Sequence, residues 1–198
     1  DEYGISVSLN SNLTLMTDEL ARKMKSDLNW NTLILTSLPG LDNEMCDKIT
    51  QVPNSYSRII AGINKCKENN IRVGVNIVLT TDNLDMFLNN IGAFVKKYSI
   101  DYLALTRAIE PSYSKDKKYD FNASDIIMLA DKLLELKEKY NVEVDSLIPF
   151  PLCVLKDQRK YQEILNTKCC AGILECTITT NGDVKACSHE NKIYGNIF

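Results

Sequence analysis

Short runs of aliphatic and β-branched residues alternate with amphipathic helical stretches along most of this chain. That order restricts it to parallel strands joined by helical crossovers. The first strand is expected over residues 5–9. Thr17 before Asp18 and Glu19 reads as an N-cap with acidic first-turn residues, and Leu20, Met24 and Leu28 follow at helical spacing. Residues 32–36 form a second apolar run ended by Pro39 and Gly40, after which Ile59, Ile60, Ile63 and Cys66 stripe the next helix. A third strand over 72–79 leads through Thr81, Asp82 and Asn83, a cap region, into a helical face of Leu84, Phe87, Ile91, Phe94, Val95 and Tyr98. The fourth strand spans 101–106 and is followed by a polar loop over 112–120. A helix capped near Asn122 carries Ile126, Ile127, Ala130, Leu133 and Leu134, and a strand over 142–148 comes next. Residues 147–155, with Pro149 and Pro151, read as an irregular strand or connector. Five such units fit in about 150 residues, whereas a closed eight-stranded barrel takes about 250. An open or partial barrel and a doubly wound sheet both satisfy the pattern.

The segment 169–198 is of another kind. It holds four of the seven cysteines and the only histidine. Ile173 and residues 177–180 are rich in β-branched side chains, Asn181-Gly182 supplies a positive-φ turn, and Asp183, Val184, Lys185 and Ala186 run back as the second arm of a hairpin. Cys176 and Cys187 then flank one ribbon, with Cys169 and Cys170 just upstream to close the same site. Clustered thiolates favour zinc or an iron–sulfur cluster over magnesium or calcium. Cys46, Cys66 and Cys153, scattered through apolar periodic segments, read instead as small buried hydrophobes. His189 is open to metal ligation, a hydrogen bond to a cluster sulfur, or a surface role. No G-x-S-x-G elbow is present to partner it in nucleophilic catalysis. Glu143 and Asp145 share one strand face by the period of two and read as solvated acids.

Composition excludes several function classes. With 198 residues, 44% of them hydrophobic, the chain can bury a sizeable core. A net charge of −3 offers no footprint for nucleic acid, and Lys115, Lys117 and Lys118 make only a local run in a solvated loop. No apolar stretch approaches the roughly 20 residues of a membrane span, and no basic-then-apolar leader opens the chain. A cytoplasmic protein is expected, with seven cysteines in a reducing compartment where clustered thiols bind metal rather than pair as disulfides. Neither G-x-G-x-x-G nor G-x-x-x-x-G-K-[ST] occurs, so dinucleotide and P-loop readings lack their phosphate-cradling glycines.

The order of the units, residues 11–19 after the first strand, Ser37-Leu38-Pro39-Gly40 after the second, and residues 54–60 opening a helix together resemble radical S-adenosylmethionine (SAM) enzymes. The tail resembles them more specifically. Cys170, eleven residues, Gly182, four residues, Cys187 is similar to the C-x(9–15)-G-x4-C element that opens the SPASM or twitch auxiliary-cluster domain, and Gly195-Asn196-Ile197 is similar to the phrase that follows it. The resemblance implies an α/β fold, a partial TIM-like (β/α) barrel with parallel strands over residues 1–155, and a small Cys-rich β-hairpin appendage over 156–198. It implies a [4Fe–4S] cluster and S-adenosylmethionine, from which the family generates a radical that abstracts a substrate hydrogen. Many such members modify peptides or protein side chains, so the expected activity is that of a maturase-like oxidoreductase acting on a peptide, a protein or a small molecule.

Carried over residue by residue, the resemblance implies that Asn12 and Ser37, at strand C-terminal ends, contact the cofactor's ribose and that Arg58 grips its methionine carboxylate. Asn12 and Ser37 read equally as turn formers, and Arg58 as an exposed helix arginine. Cys170 and Cys187 match the family's cluster ligands, and Cys176 and Cys169 are candidates to complete the set. Ser188 stands where the sulfatase-maturing branch has a catalytic aspartate, which disfavours that reaction. No C-x3-C-x2-C and no Gly-Gly-Glu phrase occurs, so the chain is expected to be the C-terminal portion of a longer enzyme and inactive alone. The competing expectation is a binding module without catalysis, stabilised by zinc on the same four cysteines.

Overall fold

In a computed structural model of the chain, residues 8–27, 32–109, 121–166 and 168–198 are described. Leu28, the first residues of the expected strand over 5–9 and the lysine-bearing loop over 112–120 lie outside the described residues. The chain runs β1 (Ser8–Asn10), α1 (Asp18–Asp27), β2 (Leu33–Ser37), α2 (Asn43–Thr50), α3 (Ser55–Glu68), β3 (Arg72–Leu79), α4 (Leu84–Tyr98), β4 (Tyr102–Arg107), α5 (Ala123–Tyr140) and β5 (Glu143–Ser146). Two short 3₁₀ turns follow, at Leu152–Val154 and Gln158–Tyr161, and then β6 (Thr177–Ile178), β7 (Asp183–Lys185) and β8 (Gly195–Asn196). The first five strands form one sheet in sequence order, every pair parallel. The last three form a separate antiparallel sheet.

The helices form where local chemistry favours them. Thr17 Oγ1 accepts from the Leu20 amide at the head of α1 (3.1 Å), and Asp42 caps α2 through the Met45 amide (2.8 Å). At α5 Asn122 and Asp125 accept from each other's backbone N–H, both at 3.0 Å, a reciprocal pair that satisfies two otherwise orphaned donors. Asn141 ends that helix at φ 52°, with Lys137 and Lys139 in its last turn where the helix dipole favours cations. The short α2 buries only Cys46, so it leaves no stripe for periodicity to detect.

The two faces of the parallel sheet differ sharply. Register puts Ile34, Val73, Val75, Ile77, Leu103, Leu105 and Val144 on one side, where they join Phe87, Ile91, Ile126, Leu129 and Leu133 in a single buried cluster. The other side carries Ser37, Asn76, Tyr102, Thr106, Glu143 and Asp145 among Leu33, Leu35, Val78 and Ala104, most of them partly exposed. All-parallel sheets ordinarily have both faces covered by apolar contacts, so the polar side chains gathered on this face mark a surface that does more than pack a core. Its side chains are ordered: Thr106 Oγ1 donates to Asn76 Oδ1 (2.9 Å), Tyr102 OH to Asp145 Oδ2 (3.3 Å), and Arg72 Nη2 to Glu143 Oε1 (2.7 Å). Gly74 is needed here, because a Cβ would come within 2.9 Å of the Tyr102 ring that lies across it. Glu143 and Asp145 thus share a face, and each has a partner.

The core does not stop at residue 155. Tyr161, Ile164 and Leu165 are buried in the same cluster, and Lys160 Nζ and Tyr161 OH both reach Asp131 Oδ1 on α5 (2.7 and 2.6 Å). Among the described residues no helix is long and apolar enough to cross a membrane.

Candidate functional site

Side chains of functional interest gather beyond the C-terminal ends of the parallel strands, where barrel active sites are built. On the β2–β3 side Ser37 pairs in register with Asn76, and both line a cavity of about 300 Å³ with Met45, Ile49, Val78 and Thr80. Asn76 is further held by Thr106. Asn12 lies past the end of β1, where its Oδ1 accepts from the Thr14 amide (3.2 Å) and the Thr14 hydroxyl (3.0 Å), a closed turn. The following Leu13 is buried at φ 59°, a conformation rare for leucine. Arg58 stands exposed in the first turn of α3. Ser37 therefore lines a cavity, Asn12 shapes a loop, and Arg58 projects from the helix surface.

On the β4–β5 side the tail returns to the sheet. The Asn166 amide donates to Ser146 Oγ (2.6 Å) and the Phe150 amide to the Asn166 carbonyl (2.9 Å), which sets residues 168–170 over the end of β5. Arg107, the last residue of β4, donates to the Pro149 carbonyl (3.2 Å) and lies 6.0 Å from the Phe150 ring, bracing the loop between β5 and the tail. In the hairpin Thr177 pairs with Lys185 and Ile178 with Val184, so Cys176 and Cys187 come to its open end. At the closed end the Gly182 amide donates to the Thr179 carbonyl (2.9 Å), and of the Asn-Gly pair only Gly182 takes a positive φ, 82°. The turn is therefore of the bulged kind rather than the two-residue kind. A second turn, in which the Cys170 carbonyl accepts from Ile173 and Leu174 (both 3.0 Å), folds Cys170 back towards Cys176. Gly172 at its crest rides over Ala186, which a Cβ would meet at 3.3 Å. The Gly195-Asn196 phrase becomes β8 and closes on β7, a strand that two polar residues did not advertise.

The result is one cavity of about 520 Å³ whose wall includes Cys169, Cys170, Cys176, Cys187 and His189, facing Ile109, Ile148 and Pro149 from the sheet. Cys187 Sγ accepts from the His189 amide (3.2 Å). These thiols line the space without converging: among the described residues no three His, Cys, Asp or Glu side chains meet closely enough to hold a metal ion. They also differ from the core cysteines. Cys46 and Cys66 are fully buried, and burial pushes both thiols up to about 11. Cys153, expected to be buried with them, is exposed, because Leu152 and Val154 take the inward positions of their 3₁₀ turn. The chemistry of the donor set, four thiols and an imidazole, suits a soft metal centre.

No family model matches the chain. It is 25% identical over 205 residues to the radical SAM cyclopropyl synthase TigE of Paramaledivibacter caminithermalis, a match that takes in 100% of this chain and 40% of TigE. The chain thus spans less than half the length of that relative. Among solved structures it is similar to Streptococcus suis SuiB, with a TM-score of 0.68 at 15% identity over 94% of this chain and 44% of that one. SuiB bound to its precursor peptide SuiA gives a TM-score of 0.65 at 15% identity over 95% and 44%. It is also similar to anSMEcpe with bound AdoMet, with a TM-score of 0.61 at 16% identity over 97% of this chain and 54% of that one. The five-stranded sheet with its helices is accordingly the partial (β/α) barrel of those structures.

Proposed function

In a chain homologous to radical SAM enzymes, we propose that the cysteine-lined cavity houses an auxiliary iron–sulfur cluster beside a barrel face that takes S-adenosylmethionine, and that the parent enzyme modifies a peptide. The observation that carries this reading is the joint placement of four thiols in one cavity at the C-terminal end of the parallel strands. Cys170 and Cys187 are the leading ligands, with Cys176 and Cys169 beside them. Ser37 and Arg58 are the residues proposed to hold the cofactor. Asn12 is proposed to join them at the ribose, from a loop its Oδ1 shapes by accepting from Thr14. The cofactor supplies the hydrogen-abstracting chemistry when bound. What this chain provides is orientation along the polar face, through the Asn76–Thr106 and Tyr102–Asp145 pairs, and a wall that shields one end of it. A peptide substrate is supported by the similarity to SuiB, seen with a precursor peptide, and to anSMEcpe, seen with AdoMet and the Cp18Cys peptide.

Anaerobic purification followed by iron, zinc and acid-labile sulfide analysis tests the reading. Matching iron and sulfide, lost in Cys170→Ala and Cys187→Ala, is the expected result. Zinc without sulfide would instead make the hairpin a structural module. The 198-residue chain, which has no C-x3-C-x2-C, is expected to release no 5′-deoxyadenosine from S-adenosylmethionine.

A further inference from the structure

The cluster reading uses the cysteines and leaves their neighbouring imidazole unassigned. His189 is exposed and lines the same cavity as the four thiols. Its backbone N–H donates to Cys187 Sγ (3.2 Å), and its Nδ1 lies 3.9 Å from that same sulfur and 3.4 Å from Ser188 Oγ. The residue therefore curls around Cys187, its main chain bonded to the sulfur and its ring nitrogen placed between that sulfur and Ser188 Oγ. In the tautomer protonated at Nδ1, the sulfur is within reach of two N–H donors from a single residue. With Cys187 as a cluster ligand, such a nitrogen would act through that sulfur.

Hydrogen bonds to cluster sulfurs are among the few ways a protein sets a cluster's potential. The reduced cluster carries more negative charge on its sulfurs, so each donor stabilises it more than the oxidised form and raises the potential. Resting on the cluster proposal above, we infer that His189 is a positioning residue for the auxiliary cluster: its ring N–H engages the Cys187 thiolate and holds the cluster at a higher potential than thiolate ligation alone would give.

The test compares the cluster-loaded wild-type chain with His189→Ala, His189→Asn and Cys187→Ala by iron and sulfide content and by redox titration followed through absorbance and electron paramagnetic resonance. His189→Ala is expected to keep wild-type iron and sulfide while its midpoint potential falls. His189→Asn, whose carboxamide nitrogen offers a donor near the Nδ1 position, is expected to recover most of that fall. A His189→Ala protein that titrates at the wild-type potential overturns the inference. So does one that loses iron as Cys187→Ala does, because the imidazole would then be a ligand. A wild-type chain that takes up no iron and sulfide overturns the cluster proposal itself, an outcome distinct from a loaded cluster indifferent to residue 189.

Discussion

Replacing Ser146 by alanine probes how the tail is joined to the barrel. Ser146 ends β5 with none of its surface exposed, and its hydroxyl accepts the Asn166 amide at 2.6 Å, while the Asn166 carbonyl accepts the Phe150 amide at 2.9 Å. Deleting Oγ removes one hydrogen bond and strands a partly buried N–H, a loss of about 1–3 kcal/mol. The methylene stays, so little cavity is added. Taking about 2 kcal/mol, and about 1.4 kcal/mol per factor of ten, opening of the 150–166 connector should become roughly 25-fold more frequent. Native-state hydrogen exchange at the Phe150 and Asn166 amides reads that directly. With a urea slope of about 2 kcal/mol/M, the unfolding midpoint should fall by about 1 M if connector and core unfold together. Ser26→Ala is the control: its hydroxyl donates to the Lys23 carbonyl on the exposed side of α1, and a change within about 0.5 kcal/mol is expected. Unchanged exchange at both amides in Ser146→Ala would refute the idea that this serine ties the cysteine-bearing tail to the sheet.

Thr36 Oγ1 is fully buried with no hydrogen-bond partner among the described residues, so Thr36→Val should raise stability by about 1 kcal/mol in chemical denaturation, against the usual sign for a core change. In the metal-free chain at pH 8, iodoacetamide followed by mass spectrometry should label the tail cysteines and Cys153 early, and Cys46 and Cys66 only on unfolding, because burial holds those thiols near 11. Asp131 is held below the usual carboxylate range by its hydrogen bonds from Lys160 and then Tyr161. Its contribution is therefore present above the unfolded value of about 3.9 and lost as pH falls through the lower folded value. Asp131→Asn should accordingly flatten the acid limb of stability below about pH 4, measured by circular dichroism melts. Phe87→Ala, at the centre of the core, should cost about 3–5 kcal/mol in the same denaturation assay.

Much of this was legible without coordinates. The stripe from Leu84 to Tyr98, the run from Arg72 to Leu79 and the cap at Asn122 follow from local periodicity and side-chain chemistry, and they became α4, β3 and the head of α5. Asn181-Gly182 between two β-rich runs likewise announced a hairpin flanked by Cys176 and Cys187. Asn76, Thr106 and the Tyr102–Asp145 pair were not legible, since a polar residue inside an apolar strand says nothing until register decides which face it joins and what stands opposite. Cys153 shows the same limit, because a three-residue turn decided which of Leu152, Cys153 and Val154 would face water.

By itself the sequence determined most of the strands and helices, through their alternation that the five strands run parallel, and that a thiol hairpin follows them, because local periodicity, capping and turn chemistry carry these signals. Only the tertiary structure decided that Ser146 and Asn166 draw the tail over β5, that four cysteines and His189 share one cavity, and that polar side chains gather on one sheet face. Those outcomes depend on pairings between distant residues, such as Asn166 with Ser146 and Tyr102 with Asp145, and close packing of the whole chain selects them.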